Sequence, residues 1–590
     1  MGEERGAPVR DVIVIGAGGG GAVVAKELAE RGLDVLVLEA GPRFARPERE
    51  WSHFSQDAVN PVTGYFRWGP ADRSKSPYAR ELNPPTMLVL QVAGVGGSTL
   101  HYSGISPRAM PGVFQGYHGH DRSNYDTGHL FPLSYRELIP YYEWVEETLP
   151  VQTAPMGTKE QVFFEGARRV GLPLNRFKDV TRPSFRPQEN AMLQPGGMAG
   201  RSNKRRDAHF PRAHGCTFCG HCFEGCFEPL GAPRNLKAKR STDNSYIPMA
   251  LTADIWRRGG RAATLLTDAF AEQIEFSTAG STATAGGVSW IMGATGERFS
   301  EEASVVVLAA GSIEGPRLWL NSGLPNPNGW VGRGLTNHFV DVVAALMPFE
   351  TGFTKGPASG GRADFPGYGS LDLAGVSPAP AAELSAVGLV PQDASSGKSP
   401  PSGRVIGRPL EHFLAHIDRL MSVAILTGDD VDQRNGVSLS TGLPPDAHGR
   451  VPRIDVVART RRSIRHRQFL IREATRLLER AGAVETHRLN SPPYLAHIHS
   501  TLRMGQRASD SVLDRSGEAR WVRRLFVADN SALANALGGP NPTLTTQALA
   551  TRTAEGIFHK YFGGAPWVAH EHPTASTDHH VTAAVRQRRL

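Results

Sequence analysis

The chain has 590 residues, of which 40% are hydrophobic and 21% charged, and its formal net charge is +8. A chain of this length exceeds what one hydrophobic core usually supports, so we expect two or more domains. No apolar run approaches the length of a membrane span, and the N-terminal residues hold no apolar signal core, so we expect no membrane-spanning segment. We therefore expect a cytoplasmic globular protein, with export alongside a partner subunit as the alternative.

The basic residues are clustered. They form one group before the cysteines, one after them, and one at the start of a helical pattern: Arg201, Lys204, Arg205, Arg206 and Arg212; Lys237, Lys239 and Arg240; Arg459, Arg461, Arg462, Arg465 and Arg467. No nucleic-acid motif accompanies this charge, so we do not expect nucleic-acid binding. A solvated face is the simplest interpretation, and a docking surface for an acidic protein partner is the second.

The segment from Asp11 to Gly41 has the pattern of a strand, a glycine-rich turn, a helix and a second strand. This order and spacing are typical of a dinucleotide-binding βαβ unit, in which the N-terminus of the helix faces the phosphates. Gly16 permits the tight turn, and Gly18 lets the backbone approach a pyrophosphate. Gly21 lets the helix and strand pack closely, and we expect Glu39 to accept hydrogen bonds from a ribose. The unit predicts FAD or NAD without distinguishing them.

Further along the chain, apolar runs continue to alternate with glycine turns. Residues 88–104 form a predicted strand that leads into a second glycine-rich turn, and residues 303–311 form a predicted buried strand that ends in glycine. The region of about 340–490 has its own character, with alternating strand-like runs and one amphipathic helix. The polar tail, residues 566–590, predicts disorder.

Four segments, taken together, carry a family resemblance. They are GAGGGGA at residues 16–22 with Glu39, GGS at 96–98, AAGSIEGPRLWLNSG at 309–323, and HIHSTLRMG at 497–505 followed by residues 526–557. In this order they resemble the signatures of the glucose–methanol–choline (GMC) family of flavin oxidoreductases, and they span nearly the whole chain. The chain is therefore identified as resembling this family, in the branch with a cysteine-rich segment.

The resemblance implies FAD rather than NAD. It implies an α/β fold in which a discontinuous Rossmann-like FAD-binding domain is interleaved with an α+β substrate domain built on an antiparallel sheet. We expect the FAD-binding domain to comprise residues 8–115, 240–340 and 495–562. We expect the substrate domain to comprise residues 116–239 and 341–494, with the cysteine cluster at 216–226, and the tail at 566–590 to be disordered.

The resemblance also implies the catalytic residues. His497 has the position of the family's catalytic histidine, and Asn541 has that of the second catalytic residue, which is His or Asn in relatives. Oxidation of an alcohol suits these types, because a base takes the hydroxyl proton while a second donor holds the substrate oxygen. His499 stands where the family usually has an apolar residue, and it is the alternative base or a residue lining the pocket.

The implied FAD contacts are spread over the chain. Asp529 has the position that holds the flavin ribityl region in the family, and capping of a strand end is its simpler interpretation. His101 lies where some relatives attach FAD covalently, although non-covalent binding is the preferred expectation here. The full implied set is Gly16, Gly18, Gly19, Gly21, Glu39, Gly96, Gly97, Ser98, His101, Ala271, Ala310, Gly311, Asp529, Pro542 and Thr543.

All four cysteines lie within eleven residues, in a C-x2-C-x2-C-x3-C pattern formed by Cys216, Cys219, Cys222 and Cys226. This spacing favours an iron–sulfur cluster of the [4Fe-4S] or [3Fe-4S] type, as in ferredoxin-type binding. Structural zinc, which normally uses two more widely separated cysteine pairs, and reduced or disulfide-bonded cysteines are the alternatives. Some GMC dehydrogenases of sugars carry such a centre, and Ala238–Ser241 resembles the segment that comes after the cysteines in that branch.

The leading hypothesis is an FAD-dependent dehydrogenase that oxidises a CH–OH group of a sugar, alicyclic or other alcohol. Its electrons leave through the iron–sulfur cluster to a protein or quinone acceptor, and the expected partner is an acidic protein electron acceptor or a small partner subunit. The alternatives are an alcohol oxidase that uses O2 and a non-redox lyase of the same fold. A metal cluster favours the dehydrogenase, because a relay has no use when electrons pass directly to O2.

Overall fold

The structure is a computed structural model. It describes residues 9–44, 80–175, 181–195, 215–226, 233–280, 282–378, 405–489 and 494–590, except positions 86, 224 and 339, together with the short pieces 198–199, 208–209, 381–382 and 389–391. The first basic group, from Arg201 to Arg212, lies outside the described residues. No helix of the described part is both long and apolar enough to cross a membrane.

The strands, in chain order, are β1 (Arg10–Ile15), β2 (Val35–Leu38), β3 (Glu81–Asn83), β4 (Leu88–Val89), β5 (Phe114–Gln115), β6 (Phe131–Ser134), β7 (Gln152–Thr153), β8 (Ser184–Pro187), β9 (Glu189–Asn190), β10 (Met198–Ala199), β11 (Ala208–His209), β12 (Thr264–Leu266), β13 (Ala269–Ala279), β14 (Thr282–Met292), β15 (Arg298–Leu308), β16 (Asp341–Leu346), β17 (Gly361–Phe365), β18 (Gly369–Ala374), β19 (Leu389–Pro391), β20 (Leu420–Thr427), β21 (Gly436–Leu439), β22 (Pro452–Asp455), β23 (Glu485–Leu489), β24 (Tyr494–Leu495), β25 (Val522–Arg523) and β26 (Leu525–Val527).

The α-helices are α1 (Gly21–Glu30), α2 (Tyr135–Thr148), α3 (Thr158–Arg169), α4 (Tyr246–Leu251), α5 (Ala253–Trp256), α6 (Gly311–Asn321), α7 (Arg408–Ala415), α8 (Arg461–Arg480), α9 (Thr543–Phe562) and α10 (His579–Gln587). Short 3-10 helices lie at Gly97–Leu100, Pro111–Val113, Arg122–Asn124, Arg234–Leu236, Ile417–Arg419 and Asn530–Ala532.

The first sheet has a parallel core in the order β12-β2-β1-β15-β26, so its strands come from three distant parts of the chain. The long strand β15 also pairs antiparallel with β14, and β14 with β13. Residues 12–15 of β1 and all of β2 are apolar and buried, and α1 packs on one face of these strands, as is typical of buried parallel strands. This discontinuous, Rossmann-like arrangement confirms the predicted α/β class.

The second sheet has seven strands in the order β19-β23-β16-β20-β18-β17-β8, and every neighbouring pair is antiparallel. The predicted antiparallel sheet is therefore confirmed. The residue boundaries proposed above for the two domains remain a prediction.

Alternation along the second sheet positions the site. Because successive side chains of a strand point to opposite faces, Val343 of β16 and Val423 of β20 pack into a core against α8 and α3. Their neighbours Val342 and Ala424 point to the other face, where they line a cavity shared with the first sheet. The sheet therefore has one face in its own core and one face on the candidate site.

The prediction of a disordered tail over residues 566–590 is wrong. Trp567 is 2% exposed, its ring lies 5.8 Å from that of Phe558, and the Arg31 guanidinium lies 4.4 Å from its centre. Helix α10 then buries Val581 and Val585 against the side of α4. The mostly polar composition of the tail led to the prediction of disorder. A few apolar side chains at helical spacing are nevertheless enough to pack a short helix against the rest of the fold.

We predict that Trp567→Ala lowers the free energy of unfolding by about 3–5 kcal/mol, because it removes a large buried ring. The exposed His570→Ala, in the same segment, serves as the control and is expected to change stability by no more than about 0.5 kcal/mol. Thermal melting of the FAD-loaded protein measures both variants. Equal melting temperatures for the two variants would show that the tail is not anchored.

Candidate active site

Most of the predicted site residues lie on one cavity of about 450 Å³ between the parallel sheet and the inner face of the antiparallel sheet. Those that line it are Gly16, Gly18, Gly19, Glu39, Gly97, Ser98, His101, Ala271, Ala310, Gly311, Asp529, His497, Asn541, Pro542 and Thr543. Gly21 and Gly96 do not line the cavity. Gly96 precedes the 3-10 helix that begins at Gly97, and Gly21 is the first residue of α1.

One end of the cavity is formed by the two glycine turns. Gly16 has φ +104°, a conformation that side chains with a Cβ rarely adopt, and it turns the chain from β1 toward α1. The second turn packs directly on the first, since a Cβ on Gly97 would lie 2.9 Å from the Cα of Gly18. A Cβ on Gly21 would lie 2.0 Å from the carbonyl oxygen of Gly16, which is the close packing predicted there. The N-terminus of α1 thus faces a pocket whose wall is glycine backbone without side chains. An anionic phosphate group can approach the backbone N–H groups closely there.

Two buried carboxylates border this end. Glu39 accepts backbone hydrogen bonds from Ala17 at 2.8 Å and from Gly41 and Gly94 at 2.9 Å each. A carboxylate has about four acceptor positions, so the expected bond from a ribose competes with three backbone donors that organise the turns. Asp529 accepts from the N–H groups of Gly311 and Ser531, both at 2.7 Å, so it caps a 3-10 helix and lines the cavity at once. Burial raises the pKa of both carboxyls.

Two histidines, His497 and His338, meet beside the cavity, and His497 is the one that lines it. The Nδ1 atoms of His497 and His338 lie 2.8 Å apart, and His338 Nε2 lies 3.0 Å from the carbonyl oxygen of Ala536. A backbone bridge positions the two segments, because Thr336 and His499 exchange N–H···O bonds of 3.2 and 2.9 Å. His338 was missed by the sequence analysis, since nothing in its local pattern predicts a contact with a residue 159 positions away.

The hydrogen bonds fix the tautomers of this pair. A carbonyl only accepts, so His338 Nε2 carries a hydrogen and its Nδ1, in the neutral ring, is an acceptor. His497 must then donate from its Nδ1, which leaves its Nε2 as an unprotonated lone pair. Burial, with the Arg362 charge as a second cause, lowers the pKa of His497 to about 4, and burial also lowers the pKa of His338. His497 is therefore neutral at physiological pH.

Asn541 is oriented by a buried arginine. Arg362, on β17, is fully buried, and its Nη1 lies 3.3 Å from the Oδ1 of Asn541. Because a guanidinium only donates, it selects the amide oxygen and leaves the NH2 group of Asn541 for the cavity. Arg362 is balanced by Asp364 at 2.6 Å and Asp372 at 3.1 Å. Neither Arg362 nor Asp372 was found from the sequence, since pairing in the antiparallel sheet places Asp372 on the cavity and Arg362 directly beside it.

The other two predicted histidines have different surroundings. His499 is fully buried but does not line the cavity; its ring lies 5.1 Å from that of His338, and neither of its nitrogens has a hydrogen-bond partner among the described residues. The structure therefore does not favour His499 as the alternative base. His101 lines the cavity, and burial, followed by the Lys239 charge, lowers its pKa to about 3.

The four cysteines, all within the described residues, lie in a loop beside the cavity but not on its wall. Cys222 and Cys226 are buried, Cys216 is partly buried and Cys219 is exposed, and none of these four described cysteines forms a disulfide. Burial raises the pKa of Cys216 to about 12. No three sulfurs of these described cysteines lie within 4.8 Å of one another.

The cysteine loop contacts the cavity at two points. Phe223, from within the loop, lines the cavity and packs against Leu90 and Leu100. Lys239 donates to the carbonyl oxygens of Cys222 and Leu100, both at 2.7 Å, and to that of Tyr102 at 2.9 Å. The loop is thus attached to the segment that carries His101.

The described basic groups are largely internal. Lys239 and Arg240 are fully buried, and Arg240 donates to Lys237, Asn244 and Ser576. In the third group, Arg459, Arg462 and Arg467 form ion pairs with Asp429, Asp430 and Asp341 respectively. These residues are paired within the fold, whereas Arg461 and Arg465 of the third group are exposed.

Comparison with known proteins adds to this geometry. Two models described as GMC oxidoreductase match residues 181–340 and 432–550, and one described as FAD dependent oxidoreductase matches residues 11–98. The chain belongs to the GMC oxidoreductase family. As a member of this family it is an FAD-dependent enzyme, and the match over residues 11–98 includes both glycine turns.

Relatives of this GMC oxidoreductase have varied names. The chain is 28% identical to the 2-methyl-1,2-propanediol dehydrogenase of Mycolicibacterium austroafricanum, over 93% of this chain and 95% of that one. It is 25% identical to the fructose dehydrogenase large subunit of Gluconobacter japonicus, over 93% and 98% of the two chains. The crystal structure of pyridoxine 4-oxidase from Mesorbium loti has the same fold, with a TM-score of 0.58 and 17% identity over 93% of this chain and 99% of that one.

The cavity fits the FAD that the family binds. The exposed backbone of the two glycine turns suits the pyrophosphate. The ring of His448 stacks on that of Phe270 at 3.8 Å, and both residues line the cavity together with Ala271. His448 was not predicted, and it reaches the cavity only because the loop between β21 and β22 packs there. The individual FAD contacts remain predictions.

Proposed function

We propose that this enzyme oxidises the CH–OH group of an alcohol, with His497 as the base and Asn541 as the donor that holds the substrate oxygen. The observation that carries the proposal is the hydrogen-bond chain from Ala536 through His338, which leaves the Nε2 atom of His497 without a hydrogen on a cavity that Asn541 also lines. The relatives named as dehydrogenases of a diol and of fructose support an alcohol substrate.

Each residue of the proposed site has a separate role in the oxidation of the alcohol. His497 Nε2 accepts the hydroxyl proton, while the NH2 group of Asn541 donates to the oxygen that becomes more negative. Bound FAD supplies the acceptor for the hydride. His338 holds the Nδ1–H of His497, so the ring keeps one orientation and one tautomer, and the buried site excludes bulk water. Arg362 keeps the amide of Asn541 facing the cavity.

We further propose that the enzyme is a dehydrogenase whose electrons leave through an iron–sulfur cluster held by Cys216, Cys219, Cys222 and Cys226. When bound, such a cluster supplies a one-electron carrier. The C-x2-C-x2-C-x3-C spacing of the four cysteines supports a cluster, because short loops of this kind direct several thiolates to one centre. The contacts of Phe223 and Lys239 support this assignment, since they hold the cysteine loop against the wall of the cavity that fits FAD.

The acceptor in this proposal is a quinone or an acidic protein, and the match to a protein named as a large subunit supports a partner chain. Arg201, Lys204, Arg205, Arg206 and Arg212 are the basic residues assigned to that contact. An oxidase that uses O2 is the alternative, and the cluster content distinguishes the two.

We predict that His497→Ala lowers kcat/KM by about 10²–10⁴-fold, the usual cost of losing a general base, while FAD stays bound. The control is His499→Gln, two residues away and buried but off the cavity, which is expected to stay within about tenfold of the parent. Anaerobic stopped-flow reduction of the flavin measures both. Near-normal reduction in His497→Ala would refute the assignment.

The hydrogen-bond chain predicts a specific pattern at His338. His338→Leu removes the acceptor for His497 and is expected to lower kcat by about 10²-fold or more, since a wrong tautomer in such a pair costs up to about 10⁴-fold. His338→Gln keeps one donor for Ala536 and one acceptor for His497, so we expect it to recover most of the rate. Equal losses in the two variants, at equal FAD content, would mean that His338 only fills space.

The cysteines give a third prediction. Protein purified anaerobically is expected to contain iron and acid-labile sulfide. Cys219→Ser, the exposed position where a substitution disturbs packing least, is expected to lose both and to slow reoxidation by the electron acceptor. Reduction of the flavin by alcohol is the internal control and is expected to change little. Stoichiometric zinc without labile sulfide would refute the cluster and favour the oxidase.

A further inference from the structure

The inner face of the antiparallel sheet presents one ionisable side chain to the cavity among its described residues, and that residue is Asp372 on β18. The other residues of this face that line the cavity are apolar or small, among them Val342, Ala344, Leu420, Ala424 and Leu426, whereas the neighbouring Arg362 does not line it. Ser422 is the other polar residue among the described lining residues of this face, but its hydroxyl donates to the carbonyl oxygen of Ala374 at 2.7 Å. A ligand in this part of the cavity therefore meets an apolar wall with a single carboxylate in it.

Asp372 and Asn541 are held by the same nitrogen atom. Arg362 Nη1 lies 3.1 and 3.3 Å from the two carboxylate oxygens of Asp372, and 3.3 Å from the Oδ1 of Asn541. The two residues come from distant parts of the chain, yet the shared guanidinium keeps them side by side. Asn541 offers the cavity a donor, and Asp372 offers acceptor positions that Arg362 does not use.

We propose that Asp372 accepts a hydrogen bond from a second hydroxyl group of the substrate, on the carbon next to the one that is oxidised. The preferred substrates are then 1,2-diols with an apolar body. This inference rests on the proposed function, because Asn541 is taken as the residue that holds the reacting oxygen. Substrates with many hydroxyl groups fit poorly, since Val342, Leu420 and Leu426 give those groups no partner.

The charges around Asp372 favour a neutral hydroxyl over an ammonium group. Arg362 pairs with both Asp372 and Asp364, and Arg186 pairs with Asp364 and Glu189. Two guanidinium groups thus lie among three carboxylates, so the carboxylate of Asp372 is already paired with a cation. A second cation brought into this site would face Arg362 at close range, whereas a hydroxyl only adds a hydrogen bond.

The first test compares 1,2-propanediol, 1-propanol and 1-amino-2-propanol as substrates of the FAD-loaded enzyme. We expect kcat/KM for the diol to exceed that for 1-propanol by about 10–100-fold, the effect of one hydrogen bond to a charged acceptor. Asp372→Leu is expected to abolish this preference. Ser422→Ala, on the adjacent strand of the same face, is the matched control and is expected to keep it.

A second variant and a binding measurement distinguish the loss of a hydrogen bond at Asp372 from a folding defect or an inactive preparation. Asp372→Asn keeps the size of the side chain and a partner for Arg362, and it is expected to reduce the preference at least about twofold, since a neutral acceptor is weaker. Binding is measured by perturbation of the flavin absorbance with pinacol and with 2,3-dimethylbutan-2-ol. Both are tertiary alcohols with the same carbon skeleton, and neither carries a hydrogen on the carbinol carbon.

The outcomes separate the two proposals. Tighter binding of pinacol that is lost in Asp372→Leu supports the diol site, even if no alcohol is oxidised and the proposed function fails. Equal binding of pinacol and 2,3-dimethylbutan-2-ol to the parent protein overturns the diol site while leaving alcohol oxidation intact. A preference for 1-amino-2-propanol over 1,2-propanediol also overturns it, because Asp372 would then recognise a cation.

Discussion

The buried guanidinium of Arg362 is the interaction on which the active site depends. A fully buried charge is tolerated only when it is paired and hydrogen-bonded, and here Asp364, Asp372 and Asn541 provide the partners. Two of these partners lie on the antiparallel sheet, and the third precedes α9 on the FAD-binding side. The cost of leaving Arg362 unpaired therefore couples the two sheets at the point where they share the cavity.

Low solvent access also determines the protonation state of the histidine pair, His338 and His497. Burial disfavours a charged imidazole, so His338 and His497 are neutral, and a neutral pair can form a directional chain that ends on a backbone carbonyl. A charged ring would lose the acceptor nitrogen and with it the chain. The backbone hydrogen bonds between Thr336 and His499 fix the two segments that carry the rings of His338 and His497. The backbone of His499 therefore helps to position the histidine pair.

The cysteine loop shows how an irregular segment is positioned without secondary structure. Lys239 is fully buried and satisfies three carbonyl oxygens, one of which belongs to Cys222. A buried ammonium needs such a set of acceptors, so the loop and the segment from Leu100 to Tyr102 are held in one arrangement. The basic residues near the cysteines that are described thus stabilise the site from inside.

The sequence by itself determined the parts of this protein that depend on local pattern. Glycines that must adopt a positive φ or pack backbone on backbone, such as Gly16 and Gly97, and the apolar runs of the parallel strands identified the nucleotide cradle and the fold class. The signature around His497 and Asn541 singled out the two residues that the structure brings to one cavity. These features are visible because each is encoded within a short stretch of chain.

Only the tertiary structure decided which partners these residues have. His338 lies 159 residues from His497, and Arg362 lies 179 residues from Asn541, so no local pattern relates them. Asp372 looks like any strand residue until the alternation of β18 is known to face the cavity. The tail was misjudged for the same reason, since the burial of Trp567 and Val581 depends on the surfaces of α9 and α4. Hydrogen-bond partners and burial arise from packing between distant segments, and a one-dimensional pattern does not contain that information.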